Sequence, residues 1–298
     1  MPVASTALVL FVTGCSTGLG LALVKVGVEK GYKVIACSRT PESVNVNGNA
    51  SNLLKLKVDV TNTKSVESAF QEAIKVFGSV DIVVNNAGYG LVGEFESYTQ
   101  EEMHKQMDVN FWGSVNVTKK ALEIMRPKGF GRILQISSVA GYYPSPALSL
   151  YNASKFALEG FSQTVMRELD PSWNIFITVV EPGGMQTEWA NKNMSWSKAH
   201  PAYTKSTPGG QWREFWKTYH GSEETDPYKA ACLLLRLVNQ SKPPAKFILG
   251  HDSLELIKKQ HSDISKEMAQ YENLSKQATR DDFDYSNVEN LKAALGAN

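Results

Sequence analysis

The chain has 298 residues, 42% apolar and 20% charged, enough to bury one large α/β core or two small ones. Its 31 basic side chains nearly cancel 30 acidic ones, leaving a net charge of +1, so no global electrostatic footprint for nucleic acid or an anionic membrane surface is present. Recognition has to be local.

Cys15, Cys37 and Cys232 are odd in number and outside any CxxC pair, which fits reduced thiols and not a disulfide framework. The five histidines show no metal-ligand spacing, so no metal site is expected. The opening stretch "MPVASTALVLFVTG" has no basic leader, and no later stretch approaches the roughly 18 apolar residues of a membrane span. A cytoplasmic protein is expected.

The first strand is read at 7–14, "ALVLFVTG", and it runs directly into Thr13-Gly14-Cys15-Ser16-Thr17-Gly18-Leu19-Gly20, followed by an apolar helix to about residue 30. Glycines there allow a tight turn and a close backbone approach to a pyrophosphate, whose charge the helix N-terminal amides stabilise. A dinucleotide site is expected. The second strand, 32–38, ends in Cys37-Ser38-Arg39-Thr40 with no carboxylate to bind ribose hydroxyls. A hydroxyl followed by a guanidinium suits a 2′-phosphate, which favours NADP(H) over NAD(H).

Further β-branched runs follow at 54–60, 81–88, 131–138, 174–184 and 246–250. Between them, Val66, Ala69, Phe70, Ala73, Ile74 and Phe77 mark one apolar helix face, and Leu158, Phe161, Val165 and Leu169 another. This alternation predicts an α/β fold: a Rossmann-like, doubly wound parallel sheet of about seven strands with helices on both faces.

Several motifs at matching separations make the chain similar to the short-chain dehydrogenase/reductase family over nearly its whole length, to "KFILG". Thr13 to Gly20 resembles the family's TGxxxGxG loop, with Gly14, Ser16, Thr17, Gly18, Leu19 and Gly20 as cofactor contacts. Asp59, with Val60 after it, matches the adenine-contacting acid, and Asn85-Asn86-Ala87-Gly88 matches the NNAG element, with Asn86, Ala87 and Gly88 facing the cofactor. Asn110, Ser138, Tyr151 and Lys155 complete the family's catalytic tetrad, and Pro182, Gly183 and Thr187 resemble its loop at the nicotinamide end. The resemblance implies reversible hydride transfer between NADP(H) and a carbonyl or secondary alcohol. An isomerase or cyclase that retains the fold, or a non-catalytic NADP-binding scaffold, are the alternatives.

The chemistry explains the spacing of Tyr151 and Lys155. A free tyrosine, with pKa about 10, is a poor base near neutrality, and an ammonium one helical turn away favours its phenolate. By the resemblance, Lys155 also holds the nicotinamide ribose, Ser138 bonds the substrate oxygen, and Asn110 orders a water leading to Lys155.

Four of the six tryptophans fall in 188–226, where Trp189, Trp196, Trp212 and Trp216 join Tyr203, Phe215 and Tyr219. That concentration suits an apolar lid in a loop-like insertion, or else a helical patch packed against the body or another subunit. Tyr142, Tyr143 and Leu91 are expected to extend the pocket, which points to a medium or bulky carbonyl or alcohol substrate. The chain is therefore read as one domain over 1–298, with a dinucleotide core at about 5–187 and 225–250, the lid at about 188–226, and a helical tail at about 252–298. Ile257, Ile264, Met268 and Tyr271 form a thin apolar stripe along that tail, read as a docking face. By family analogy, a homodimer or homotetramer pairs through helices near 98–125 and 149–170.

Overall fold

Every residue of β1 (Val9–Thr13) is buried, which a strand achieves only inside a sheet covered on both faces. The computed structural model describes residues 7–284 and 286–294. Residues 5 and 6 of the expected core, the first six residues of the opening stretch, and 295–298 of the tail lie outside the described residues. In chain order the elements are β1, α1 (Gly18–Glu29), β2 (Lys33–Ser38), β3 (Leu53–Lys57), α2 (Thr63–Phe77), β4 (Ile82–Asn85), β5 (Gly90–Val92), α3 (Gln100–Met107), α4 (Gly113–Lys128) and β6 (Gly131–Ile136). They continue with α5 (Ser149–Glu168), β7 (Ile175–Pro182), β8 (Met194–Trp196), α6 (Pro208–Thr218), α7 (Pro227–Val238), β9 (Lys246–Leu249), α8 (His251–Lys276) and α9 (Ser286–Ala294).

Seven strands form one parallel sheet in the order β3-β2-β1-β4-β6-β7-β9. The expected doubly wound α/β sheet is therefore the observed one. Alternate side chains serve opposite layers, as a two-residue period requires. Leu10, Val12, Val34 and Ala36 pack with Leu23 of α1 and Leu234 of α7. Phe11, Ile35 and Val83 pack with Phe70 of α2 and Val117 of α4 on the other face. Phe11 stacks on Phe70 with ring centroids 4.3 Å apart. Burying each such side chain contributes about 1.5–3 kcal/mol. The chain reverses direction across the sheet between β1 and β4, and ligands of open α/β sheets bind outside the strand ends at such a switch point.

Two features depart from the sequence reading. β5 and β8 form a separate parallel pair, Gly90↔Met194 to Val92↔Trp196, each too short to show a period. In the region 188–226 the loop-like reading gives way to its helical alternative: it contains α6, because Thr207 caps it, Pro208 sits in its first turn, and Trp212, Phe215, Trp216 and Tyr219 recur at helical spacing.

The chain divides into two compact units between Ile257 and Lys258. The first holds the sheet and its layers. In the second, Ile264, Met268 and Tyr271 are exposed, while Ile257, at the end of the first, is buried.

Candidate active site

The turn after β1 takes the shape its glycines permit. Gly14 has φ +69° and Gly18 φ +58°, values that L side chains rarely adopt. A Cβ at Gly20 would lie against the Gly14 carbonyl oxygen, and 2.5 Å from Asn86 Nδ2, so only hydrogen fits there. Thr13 Oγ1 accepts from the backbone N–H groups of Asn86 and Ala87, both at 3.0 Å. Asn86 Nδ2 in turn donates to the carbonyls of Thr13 at 2.9 Å and Gly14 at 3.0 Å. The NNAG element thus clamps the glycine turn to β4. Thr187 closes in from the other side, 3.2 Å from where a Gly18 Cβ would stand.

A cavity of about 1040 Å³ opens over this turn. One end is lined by Ser38, Arg39, Asp59 and Val60, the middle by Ser16, Thr17, Leu19 and Gly88, and the far end by Ser138, Tyr151, Lys155, Pro182 and Gly183. Its size exceeds the usual drug-sized pocket and fits a dinucleotide with a second ligand beside it. The glycine turn, with only the small Ser16 and Thr17 between Cys15 and Gly18, and the helix N-terminus it leads into fit a pyrophosphate. Gly20 and Asn110 do not line the cavity; Gly20 sits beneath the turn, and Asn110 is buried behind the wall.

Asn110 lies in a π-helical turn, Asp108–Trp112, between α3 and α4. Such turns recur at functional sites because they re-aim a side chain. Its Oδ1 accepts from Tyr89 N at 3.0 Å, and its Nδ2 donates to Tyr89 O at 3.0 Å and Ser154 Oγ at 3.1 Å. The other three tetrad members share the cavity wall. Ser138 ends the segment after β6, where its Oγ accepts from Ala140 N at 3.1 Å. Lys155 Nζ donates to the Ile136 carbonyl at 2.8 Å and lies 5.6 Å from the centre of the Tyr151 ring.

Burial dominates the titration of both groups. It pushes the Tyr151 phenol up to about 12, with a hydrogen bond to Ser138 pulling the other way. It brings the Lys155 amine down to about 8, against the pull of Glu159. The expected lowering of the phenol by the lysine is therefore corrected: burial sets the direction, and the opposing influence is the Ser138 hydrogen bond. Tyr151 is a neutral acid near pH 7.

At the other end, Ser38 Oγ accepts from Thr40 N at 3.1 Å, and Arg39 is exposed. Asp59 Oδ1 accepts from Thr61 N at 3.0 Å and Thr61 Oγ1 at 2.8 Å. The sequence reading missed Lys57. It faces Ser38 across the β2–β3 ladder, and with Arg39, Asp59, Asn62 and Ser65 it lines a groove of about 380 Å³. The alternation in "LKLKVDV" could have found it, since Lys55 and Lys57 share one side of the edge strand.

Aromatic rings build the wall beyond Tyr151. Ring centroids step 5.2 Å from Tyr151 to Trp189, 6.5 Å to Trp216 and 5.1 Å to Tyr219. Among the expected additions, Tyr143 lines the cavity, but Leu91 is buried in β5 and Tyr142 turns to hydrogen-bond Lys246 at 2.5 Å. Arg213 of α6 fixes the wall to the segment after β5 through Glu94 Oε2 at 2.9 Å, with Ser197 as a further acceptor. Asn193 Nδ2 donates to Thr17 Oγ1 at 3.0 Å, a contact across 176 residues that no local pattern announces. Among the described residues, no helix is long and apolar enough to cross a membrane.

A family profile described as short chain dehydrogenase matches residues 8–198. The uncharacterized oxidoreductase C162.03 of Schizosaccharomyces pombe is 62% identical over 292 residues, covering 98% of each chain. The oxidoreductase calM of Penicillium decumbens is 39% identical, covering 83% of this chain and 85% of its own. Among solved structures, a short-chain dehydrogenase from Streptomyces avermitilis superposes with a TM-score of 0.84 at 29% identity, covering 92% of this chain and all of the other. With these likenesses added to the glycine turn and to the serine, tyrosine and lysine on one cavity wall, the chain belongs to the short-chain dehydrogenase/reductase family and is an oxidoreductase of that kind.

Proposed function

We propose that the protein is an NADP(H)-dependent carbonyl reductase, reversible to secondary-alcohol oxidation, acting on a medium or bulky apolar substrate. The observation that carries this reading is the single cavity that runs from Arg39, past the glycine turn, to Tyr151 and the tryptophan wall. A nicotinamide bound at its far end supplies the hydride that reduces the carbonyl carbon. Tyr151 then delivers its phenolic proton to the carbonyl oxygen, in step with the charge that develops there. Ser138 donates a hydrogen bond to the same oxygen, and the Lys155 ammonium stabilises the phenolate left behind. In alcohol oxidation the same proton returns to Tyr151. The apolar rings of Trp189 and Trp216 exclude water and bury the remainder of the substrate.

Arg39 supports the choice of NADP(H), and Lys57 strengthens it by bringing a second cation to the same groove. Charged hydrogen bonds to a phosphate contribute about 1.5–3 kcal/mol, so Arg39→Ala is expected to weaken NADPH binding by about 10- to 100-fold. NADH binding should change little. Cofactor titrations of wild type and variant by fluorescence test this, and a wild-type preference for NADH would overturn the assignment.

A further inference from the structure

One turn beyond Lys155 on α5, Glu159 is 4% exposed, and the i, i+4 spacing puts the two on one helix face. The turn that carries Ser138 sits on this stretch of helix. A Cβ at Gly141 would lie 2.9 Å from Ser137 Oγ, 3.1 Å from Glu159 Cγ and 3.4 Å from the Lys155 carbonyl oxygen.

Glu159 Oε2 accepts from Lys246 Nζ at 3.0 Å and from Gln163 Nε2 at 3.4 Å, while its Oε1 is buried without a hydrogen-bond partner. Lys246 Nζ, on β9, also donates to Glu181 Oε1 at 3.2 Å and Tyr142 OH at 2.5 Å. Glu181, on β7, is 1% exposed. Two buried carboxylates therefore share one ammonium. Burial and the Glu159 charge push Glu181 up to about 7, so near neutrality Lys246 does not face two full negative charges; Lys155, buried on the same helix face one turn from Glu159, is the second cation of this region.

We infer that Glu159 is a positioning residue for the proposed reaction: its buried carboxylate, anchored by Lys246, keeps Lys155 in the ammonium form that faces Tyr151. The inference rests on the reading of Lys155 as the charged partner of Tyr151. The structure sets the Tyr151 ring and the Ile136 carbonyl of β6 against Lys155, with Glu159 one turn further along α5; Lys246 of β9 in turn pairs Glu159 with Glu181 of β7 and donates to Tyr142. Burial lowers the lysine, and Glu159 is the charge that opposes the loss. Burial and the Glu159 charge raise Glu181, while Lys246 holds it down. Burial also lowers Lys246, but its bonds to Tyr142 and Glu159, with both carboxylate charges, raise it on balance. Lys246 thus remains a fixed cation, and its role is to hold Glu159 in place.

The sign of the effect follows directly. Lys155 is charged below its pKa, so removing the neighbouring negative charge makes it lose its proton at lower pH. Unit charges about one helical turn apart, at an effective dielectric of about 20, would shift a titration by about two pH units, and the Lys246 charge beside Glu159 reduces this to about one. The test is an NMR titration of the full chain with labelled lysine side chains, the Lys155 signal being assigned by its loss in Lys155→Arg. Glu159→Gln is expected to lower the Lys155 midpoint by about one unit, and the alkaline limb of turnover should move the same way. Should Glu159→Gln not fold, Glu159→Met removes the charge without leaving an amide to satisfy, and the expected shift is the same. An unchanged midpoint, or turnover reduced equally at every pH, overturns the inference and leaves Glu159 a packing residue. The titration needs neither substrate nor turnover, so its failure is distinguishable from a failure of the reductase reading.

Discussion

Tyr151→Phe is expected to lower turnover by about 100- to 10,000-fold while NADPH binding stays within about twofold of wild type. The phenol is buried on the cavity wall, kept neutral near pH 7 by that burial, and lies beside Ser138. Removing its oxygen deletes the proton that the substrate oxygen receives, but it removes no contact to the glycine turn. The ring remains, so its packing against Trp189 is preserved. Single-turnover and steady-state rates, measured with cofactor titrations on the same preparations, separate the two effects. Near wild-type turnover by the phenylalanine variant would remove Tyr151 from the acid/base role.

Gly20→Val should abolish cofactor binding, with a loss of about 100-fold or more, corresponding to about 2.7 kcal/mol. The argument is steric. The Cβ would overlap the Gly14 carbonyl oxygen, which is backbone of the turn itself, and crowd Asn86 Nδ2, which is held in place by its bonds to that turn. Relief requires the turn to open, which also breaks the bonds from Asn86 to Thr13 and Gly14. Overpacking of this kind costs about 1–3 kcal/mol of stability in addition. Calorimetric titration and thermal melts read the two losses. Tight NADPH binding by the variant would show that the turn is not the pyrophosphate cradle.

Much of the sheet was legible because its central strands are short β-branched runs, buried on both faces, between helical patterns. The seven predicted segments overlap the seven observed strands, with ends differing by up to three residues. β5 and β8 were not legible, since three residues carry no period and their pairing depends on the chain returning after more than 100 residues. At the site, Gly14, Gly18 and Gly20 could be read because the backbone there admits nothing larger. Lys57 escaped although the alternation along its strand placed it on one side, because only the register brings it opposite Ser38, and Asn193 escaped because a long-range contact brings it in with no local signature. The titration of Tyr151 was read in the wrong direction. Sequence spacing reveals a neighbouring ammonium but not the depth of burial, and burial is the larger effect here.

The same distinction explains Glu159. From the sequence it is one more polar residue on a helix with an apolar face, and nothing marks it for the interior. Only the fold brings Glu181 from β7 and Lys246 from β9 to the same point, turning a surface-type side chain into part of a buried charge cluster one helical turn from Lys155.

The central claim is that the cavity couples nicotinamide chemistry to proton delivery from Tyr151. Its most direct test is to incubate wild type and Tyr151→Phe with NADPH and a panel of apolar ketones and aldehydes, following nicotinamide absorbance and identifying products. The account predicts that wild type forms alcohol and oxidised cofactor in equal amounts, and that Tyr151→Phe forms almost none. Product formed while NADPH remains unchanged would contradict it, as would equal rates in the two proteins.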